Sequence, residues 1–423
     1  MLELYTEIEF VGMCFFTILA EYFPLFVMKI LHTADWHLGQ TFYGFDRGKE
    51  HACFLDWLCG IAKERSTDVL LIAGDVFDSP NPSAEAQRMF YHFLTRITSE
   101  NPEMQIVVTA GNHDSAARLE APNPLLKVFN VSVSGIVHYT DGEIDYERMI
   151  VPLKGGGCCL AVPYLRHNDY PAADSYSQGV AMLYNELYTR ASAQGYFPII
   201  AMGHLQASGA EVSVGDASEH MIIGGMEGID ARFAGNGIVY TALGHLHKAQ
   251  KVAHHENIRY SGAPLPMSFA ERRNTQSITQ VTIDNSGNCT VEKIAFDTPV
   301  KLLSVPTTPQ PIDTVLEELK SLPDGKAGEF SPFLEVKVLV TAVEMDMRRR
   351  IEETIEGKNV RLARIEAVSN MENSENGAPV TYEDFKNIRP EELIKEIYKK
   401  NSGEEMSQDI MSLLNDVINE VVR

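Results

Sequence analysis

Positive charge is scarce in this chain of 423 residues: 36 Lys and Arg stand against 58 Asp and Glu, a formal net charge of −22. A protein that holds nucleic acid through bulk positive charge is excluded, so any polyanionic substrate must be gripped locally, by metal ions or by a partner. Cysteine is sparse too. Cys14, Cys53, Cys59, Cys158, Cys159 and Cys289 form no CxxC pair and no regular framework, which argues against a disulfide scaffold or zinc ribbon and for a reducing, cytoplasmic setting. A membrane-length apolar run is also missing. Val11 to Ala20 falls short of the roughly 20 residues a span requires. It follows Glu3, Glu7 and Glu9 instead of a basic segment, and Glu21 ends it, so neither an export signal nor a membrane anchor is expected.

What remains is ordinary globular composition, 44% hydrophobic with 30 Gly and 20 Pro, and a length that suggests two or three domains at about 150 residues each. Met28-Lys29-Ile30-Leu31-His32-Thr33-Ala34-Asp35 reads as an opening β-strand that runs straight into a chemical motif. Met28 is therefore the expected natural start, with 1–27 an upstream extension that is not native.

From 28 to about 300, short apolar runs recur, each ending in Gly, Asp, Asn or His: 68–75, 105–112, 198–204 and 238–245. Strands this uniformly apolar are buried on both faces, as in layered α/β folds. Helices are expected at about 49–65, 83–99 and 176–194, the second opened by Ser83. Successive strands over 250–297 imply a second layer or sheet. A break is expected at Pro299 to Pro311. Beyond it, helices at 312–322 and 344–356 and strands at 333–342 and 359–368 make a small α+β domain of 301–369. Residues 370–379 read as a linker, and the apolar spacing of Ile410, Leu413, Leu414, Val417, Ile418 and Val421 as an amphipathic helix.

The ends of the expected strands carry Asp35-x-His37, Gly74-Asp75-x-x-Asp78, Gly111-Asn112-His113-Asp114, Gly203-His204 and Gly244-His245-x-His247. In layered α/β folds the loops beyond the carboxyl ends of strands are where side chains converge. One such motif alone would ordinarily be a turn; the set in this order is what carries information. The donors are carboxylate, imidazole and amide oxygen without thiolate, which suits Mn²⁺, Fe²⁺ or Zn²⁺ in a hydrolytic site. Seven donors exceed the needs of one ion. The natural division gives Asp35, His37, Asp75 and His247 to one ion and Asp75, Asn112, His204 and His245 to the other, with Asp75 bridging, as two-metal hydrolases require. His113 is left over for the leaving group or the phosphate charge, Asp114 is expected to orient its ring, and Asp78 to tune the site. Tyr43 and Arg47 could meet a DNA backbone, Arg by forking onto phosphate and Tyr by stacking.

These motifs resemble the signature of the calcineurin-like metallophosphoesterases. Leu31-His32-Thr33-Ala34-Asp35-Trp36-His37-Leu38-Gly39, then Tyr43-Gly44 and Arg47, and Tyr260 to Phe269 narrow the likeness to a nuclease branch of that family. The resemblance implies a layered α/β/β/α core, a small α+β domain that caps the site and helps bind DNA, and C-terminal helices that dock on a partner. It implies a nuclease with two Mn²⁺ ions, or Mg²⁺ or another divalent ion in their place. The activities implied are 3′–5′ exonuclease on double strands and endonuclease on single strands and hairpins, in DNA end processing, repair and recombination. The implied assembly pairs the chain with a coiled-coil ATPase, as a homodimer within a heterotetramer. The tail fits a protein partner, since 370–423 holds 12 Asp and Glu against 6 Lys and Arg. Two rivals stay open: a phosphodiesterase or phosphatase for a small molecule or phosphoprotein, because fold and metals do not choose the substrate, and a scaffold without catalysis.

Overall fold

The computed structural model describes residues 27–211, 229–230, 233, 235, 237–340 and 346–369. All but the last residue of the expected extension, and the whole linker and tail of 370–423, lie outside the described residues. By its internal contacts the chain divides into two units, one ending at Val300 and the other beginning at Lys301.

The first unit is built on two six-stranded sheets. One contains β1 (Met28–Thr33), β2 (Val69–Ala73), β3 (Gln105–Thr109), β4 (Val131–Ser134), and later β11 (Ser277–Ile283) and β12 (Cys289–Ala295), in the order β12-β11-β1-β2-β3-β4. The other contains β5 (Ile150–Pro152), β6 (Cys158–Ala161), β7 (Ile199–His204), β8 (Tyr240–Gly244), β9 (Gln250–Val252) and β10 (His255–Tyr260), in the order β9-β10-β8-β7-β6-β5. The strands that matter for the site, β1 with β2 and β3, and β7 with β8, are parallel within their sheets, so each set ends along one edge.

Period-two alternation creates the layers. In β1 and β2, Leu31, Leu70 and Ile72 join a core with helices α1 (Gly48–Glu64) and α2 (Ala84–Glu100). Their neighbours Met28, Ile30, Val69, Leu71 and Ala73 face a second core shared with Cys159, Ile200, Met202 and Tyr240 of the other sheet. That sheet's far side, with Leu160, Ala201 and Leu243, packs on α3 (Tyr176–Ala193). The result is α/β/β/α, as expected. Each fully buried Leu or Phe in these layers contributes about 1.5–3 kcal/mol. The helix expected over 83–99 is α2, and Ser83 caps it by accepting a hydrogen bond from Ala86 N at 3.1 Å. His32 bridges the sheets, with Nδ1 2.9 Å from the Tyr240 hydroxyl and Nε2 3.2 Å from Leu243 O.

The second unit alternates strand and helix: β13 (Leu302–Gln310), α4 (Ile312–Lys320), β14 (Phe333–Val340), α5 (Met347–Thr354) and β15 (Arg361–Ser369). Its sheet is parallel, ordered β13-β14-β15. Ile312, Val315, Leu319 and Ile351 of the helices pack on Leu334, Val336 and Val338. The boundary between the units falls within the stretch expected as a break, and its prolines lie in the first strand of the second unit. Within its sheet β13 is an edge strand, where a residue without an N–H is tolerated. Its register shifts between Val305 and Gln310, around Pro306 and Pro309.

Candidate metal centre

Trp36 explains how the first motif is aimed. Its ring is fully buried edge-on against Phe54 and Phe93, at 5.7 and 5.2 Å between centroids, and its Nε1 donates to Thr33 Oγ1 at 2.9 Å. The flanking Asp35 and His37 turn away from that helix layer. Asp35 N donates to Gly74 O, and His37 N to Asp75 O, both at 3.0 Å, which locks the loop after β1 to the loop after β2. Asp35, His37, Asp75 and His245 all adopt positive φ, of 54, 47, 49 and 104°. A non-glycine residue enters that region at a cost and persists where its surroundings impose it, which is common at functional sites. Two glycines are there for room: a Cβ at Gly74, itself at φ 87°, would come within 2.2 Å of His204 Nδ1, and one at Gly244 within 1.9 Å of Ala73 O.

The side chains of all five motifs meet at this edge. Donor atoms of Asp35, His37 and His247 lie within 4.8 Å of one another, as do those of Asp35, Asp75 and His204, and those of His37, Asp78 and His113. Asp75 Oδ2 is 3.3 Å from His204 Nε2 and 3.7 Å from His37 Nε2, while Oδ1 accepts from His113 N at 2.9 Å. Asn112 Oδ1 lies 3.0 Å from His204 Nε2 and 3.1 Å from His245 Nδ1. His204 Nδ1 donates to Ala73 O at 2.9 Å, which turns Nε2 toward the carboxylates.

Charge is concentrated here, away from solvent. Burial raises the Asp35 carboxyl above the ordinary range, against the pull of His204 and His247. Burial would also raise Asp75, but His204, His37 and His113 override it and hold Asp75 well below the ordinary range. For His204, burial acts downward and the Asp75 carboxylate more than offsets it, lifting the imidazole to about 9. Burial and His204 together push His245 down to about 3. A divalent-ion centre fits this donor set. Asp35 Oδ2 and His37 Nε2 are buried with no hydrogen-bond partner. Leaving such acceptors unsatisfied costs about 1–3 kcal/mol each unless a cation accepts their lone pairs.

One expectation changes in detail. Asp114 does not touch the His113 ring: its carboxylate accepts from Gly111 N and Phe77 N at 2.9 Å and Val76 N at 3.2 Å, stapling the Asn112 loop to the Asp75 loop. Burial, then the Asp75 charge, pushes Asp114 up to about 6. The His113 ring is oriented by Asp78 instead, with Nδ1 3.0 Å from the Asp78 carbonyl. The Asp78 carboxylate in turn lies 3.3 Å from His37 Nδ1.

Arg47 is turned into the protein, away from where a DNA backbone would lie. It is 1% exposed, forks onto Glu50 at 3.0 and 2.9 Å, and donates to Gln40 Oε1 at 2.9 Å and Pro266 O at 2.7 Å. Its role is to stitch the 40–47 loop to the 260–269 segment. Tyr43 is 40% exposed, with its ring against Phe42 and Phe269.

Two residues near the centre carry no sequence signal. Glu271, 1% exposed, places Oε1 3.4 Å from His247 Nδ1, and its Oε2 accepts from Met267 N at 3.1 Å. It stands 24 residues after its partner (271 − 247) in no recurring pattern. Tyr164, tied to Ala110 O through its backbone N–H at 2.8 Å, sets its ring 6.2 Å from that of His204.

Known proteins share both units. The family profile described as "Calcineurin-like phosphoesterase" matches residues 28–249, and one described as "Type 5 capsule protein repressor C-terminal domain" matches 298–402. SbcD of Rhodobacter capsulatus, a subunit of the nuclease SbcCD, is 36% identical over 354 residues, 79% of this chain and 86% of the relative. SbcD of Escherichia coli K12 is 33% identical over 311 residues, 70% of this chain and 72% of the relative. That from Bacillus subtilis is 32% identical over 269 residues, covering 60% and 66%. With its paired Asp and His clusters at the strand ends and a likeness that runs through most of both units, this chain belongs to the calcineurin-like phosphoesterases, within the family of SbcD nuclease subunits.

Proposed function

We propose that this chain is the nuclease subunit of an SbcCD-type complex, a phosphodiesterase with two Mn²⁺ ions that cuts DNA during end processing, repair and recombination. The observation that carries the reading is the position of Asp75 Oδ2 between His37 Nε2 and His204 Nε2, at 3.7 and 3.3 Å, which suits one carboxylate shared by two ions. Asp35, His37, Asp75 and His247 would hold one ion, and Asp75, Asn112, His204 and His245 the other. Bound there, the ions supply Lewis acidity and a nucleophile at neutral pH.

The chain's own residues do the rest. The Asp78 carbonyl accepts from His113 Nδ1 and so leaves Nε2 to serve the leaving oxygen or the phosphate charge. Asp114 keeps the loops of Asp75 and Asn112 in register. Tyr43, 40% exposed with its ring against Phe269, would stack on DNA through its exposed face. The activities are 3′–5′ exonuclease on double strands and endonuclease on single strands and hairpins. The unit from Lys301 helps bind DNA, and 370–423 docks on an SbcC-type coiled-coil ATPase. A homodimer within a heterotetramer is supported by Leu125, Val128 and Phe129, which sit close together in the chain and are 72, 78 and 57% exposed.

The experiment is an assay of the purified chain with Mn²⁺ on hairpin DNA, cyclic nucleotides and a phosphoprotein, followed by co-purification with the ATPase. Cleavage of the hairpin above the other substrates is expected; preference for a small molecule or phosphoprotein would overturn the reading. Among the described residues, no helix is long and apolar enough to cross a membrane.

A further inference from the structure

The two ends of the centre are not equally prepared for a cation. At the Asp35 end, Asp35 Oδ2 and His37 Nε2 have no hydrogen-bond partner, so an arriving ion displaces nothing from them. At the Asn112 end the donors are engaged with one another: Asn112 Oδ1 sits 3.0 Å from His204 Nε2 and 3.1 Å from His245 Nδ1. An ion entering there has to break these contacts. The atoms behind the ligands differ as well. His37 Nδ1 faces the Asp78 carboxylate at 3.3 Å and His247 Nδ1 the Glu271 carboxylate at 3.4 Å, both ion-pair contacts, whereas His204 Nδ1 is hydrogen-bonded to the neutral carbonyl of Ala73 at 2.9 Å. A carboxylate behind an imidazole fixes its tautomer and raises its basicity, and removing it typically costs about 10–100-fold in metal affinity. The ligands themselves point the same way: the Asp35 end has its own carboxylate where the other end has the neutral amide of Asn112.

We infer that the two cation positions fill in a fixed order, the Asp35–His37–His247 end first, and that Asp78 and Glu271 are the positioning residues that set this order. The inference rests on the two-ion reading above. Glu271 aims His247 from a turn (269–273) held by its own bond to Met267 N, next to the Pro266 carbonyl gripped by Arg47. The buried pair Arg47–Glu50 therefore supports a metal ligand from behind, which gives the Tyr43–Arg47 and Tyr260–Phe269 motifs a shared purpose.

The test is a titration of the metal-free full chain with Mn²⁺, followed by calorimetry and by electron paramagnetic resonance. The unaltered chain should bind in two resolved steps, with a single-ion spectrum at one equivalent and a spin-coupled spectrum only beyond it. Glu271→Gln and Asp78→Asn should each weaken the first step by about 10–100-fold and move the second by less than about threefold. Thermal melts in chelator show that each variant is folded. Asp78 has a side chain 37% exposed and carries the test if Glu271→Gln does not fold. Spin coupling already at one equivalent, a shift confined to the second step, equal shifts in both, or no shift overturns the inference. None of these outcomes touches the nuclease reading, which fails separately if fewer than two ions bind or if hairpin DNA is not cut.

Discussion

Asp75 Oδ2 stands between His37 Nε2 and His204 Nε2, 3.7 Å from one and 3.3 Å from the other. One carboxylate oxygen thus links a residue from the loop after β1 with a residue from β7 in the opposite sheet. Asp75→Asn removes the shared charge while nearly preserving volume. It should lower turnover on a simple phosphodiester by on the order of 10²–10³-fold and reduce manganese stoichiometry below two, read by calorimetry and single-turnover kinetics. Two ions bound at unchanged affinity would contradict the bridging role.

His113 separates metal binding from chemistry. Its ring packs edge-on to His37 at 4.8 Å, and its Nδ1 is engaged by the Asp78 carbonyl. His113→Ala should keep both ions and lose about 10²–10⁴-fold in rate, the usual worth of a positioned acid or base. Loss of an ion on this substitution would return His113 to the ligands.

Arg47 tests structure against DNA contact. Deleting its guanidinium leaves the Glu50 carboxylate, 3% exposed, without the two bonds it receives. Uncompensated buried charge of this kind costs about 3–5 kcal/mol. Arg47→Ala should therefore lower the denaturant midpoint sharply, while the salt dependence of DNA binding by the folded fraction stays as it is. An unchanged midpoint with a shallower salt slope would restore the DNA-contact role.

Two buried histidines outside the ligand set impose an acid limit. Burial pushes both His32 and His51 down to about 3 from an ordinary 6.5, with Arg47 adding to the effect at His51. Because both folded-state values are lowered, the unfolded chain binds more protons between pH 3 and 6.5. Stability is complete above that window and falls as pH drops through it, by about 1.4 kcal/mol per pH unit for each imidazole. His51 Nε2 donates to Trp36 O at 2.9 Å, a bond that glutamine can imitate. Urea unfolding of the metal-free chain from pH 4 to 7 should show an acid slope smaller by about one proton in His51→Gln. Equal slopes would mean that His51 is not held neutral.

The convergence of these residues was legible because Asp75, Asn112, His204 and His245 each follow a run of apolar residues long enough to be a buried strand, and parallel strands end along one edge. The layers were legible for the same reason, and Ser83 marked the start of α2. What stayed hidden depends on partners remote in sequence. Arg47 reads as a free cation until Pro266, 219 residues on, is seen to accept from it. Glu271 has no motif because its meaning lies in a 3.4 Å approach to His247. Asp114 stands beside His113, yet its hydrogen bonds go to the amides of Val76, Phe77 and Gly111. The prolines after Pro299 marked the boundary between the units, but only the position of β13 at a sheet edge shows why a strand tolerates Pro306 and Pro309.

Whether two ions share Asp75 is decided by anomalous diffraction at the manganese edge, from crystals of the Mn²⁺-loaded full chain. Two peaks about 3.5–4 Å apart are expected with the Asp75 carboxylate between them, one against Asp35, His37 and His247 and the other against Asn112, His204 and His245. A single peak at saturating manganese, or two peaks that do not share Asp75, would refute the paired-ion centre.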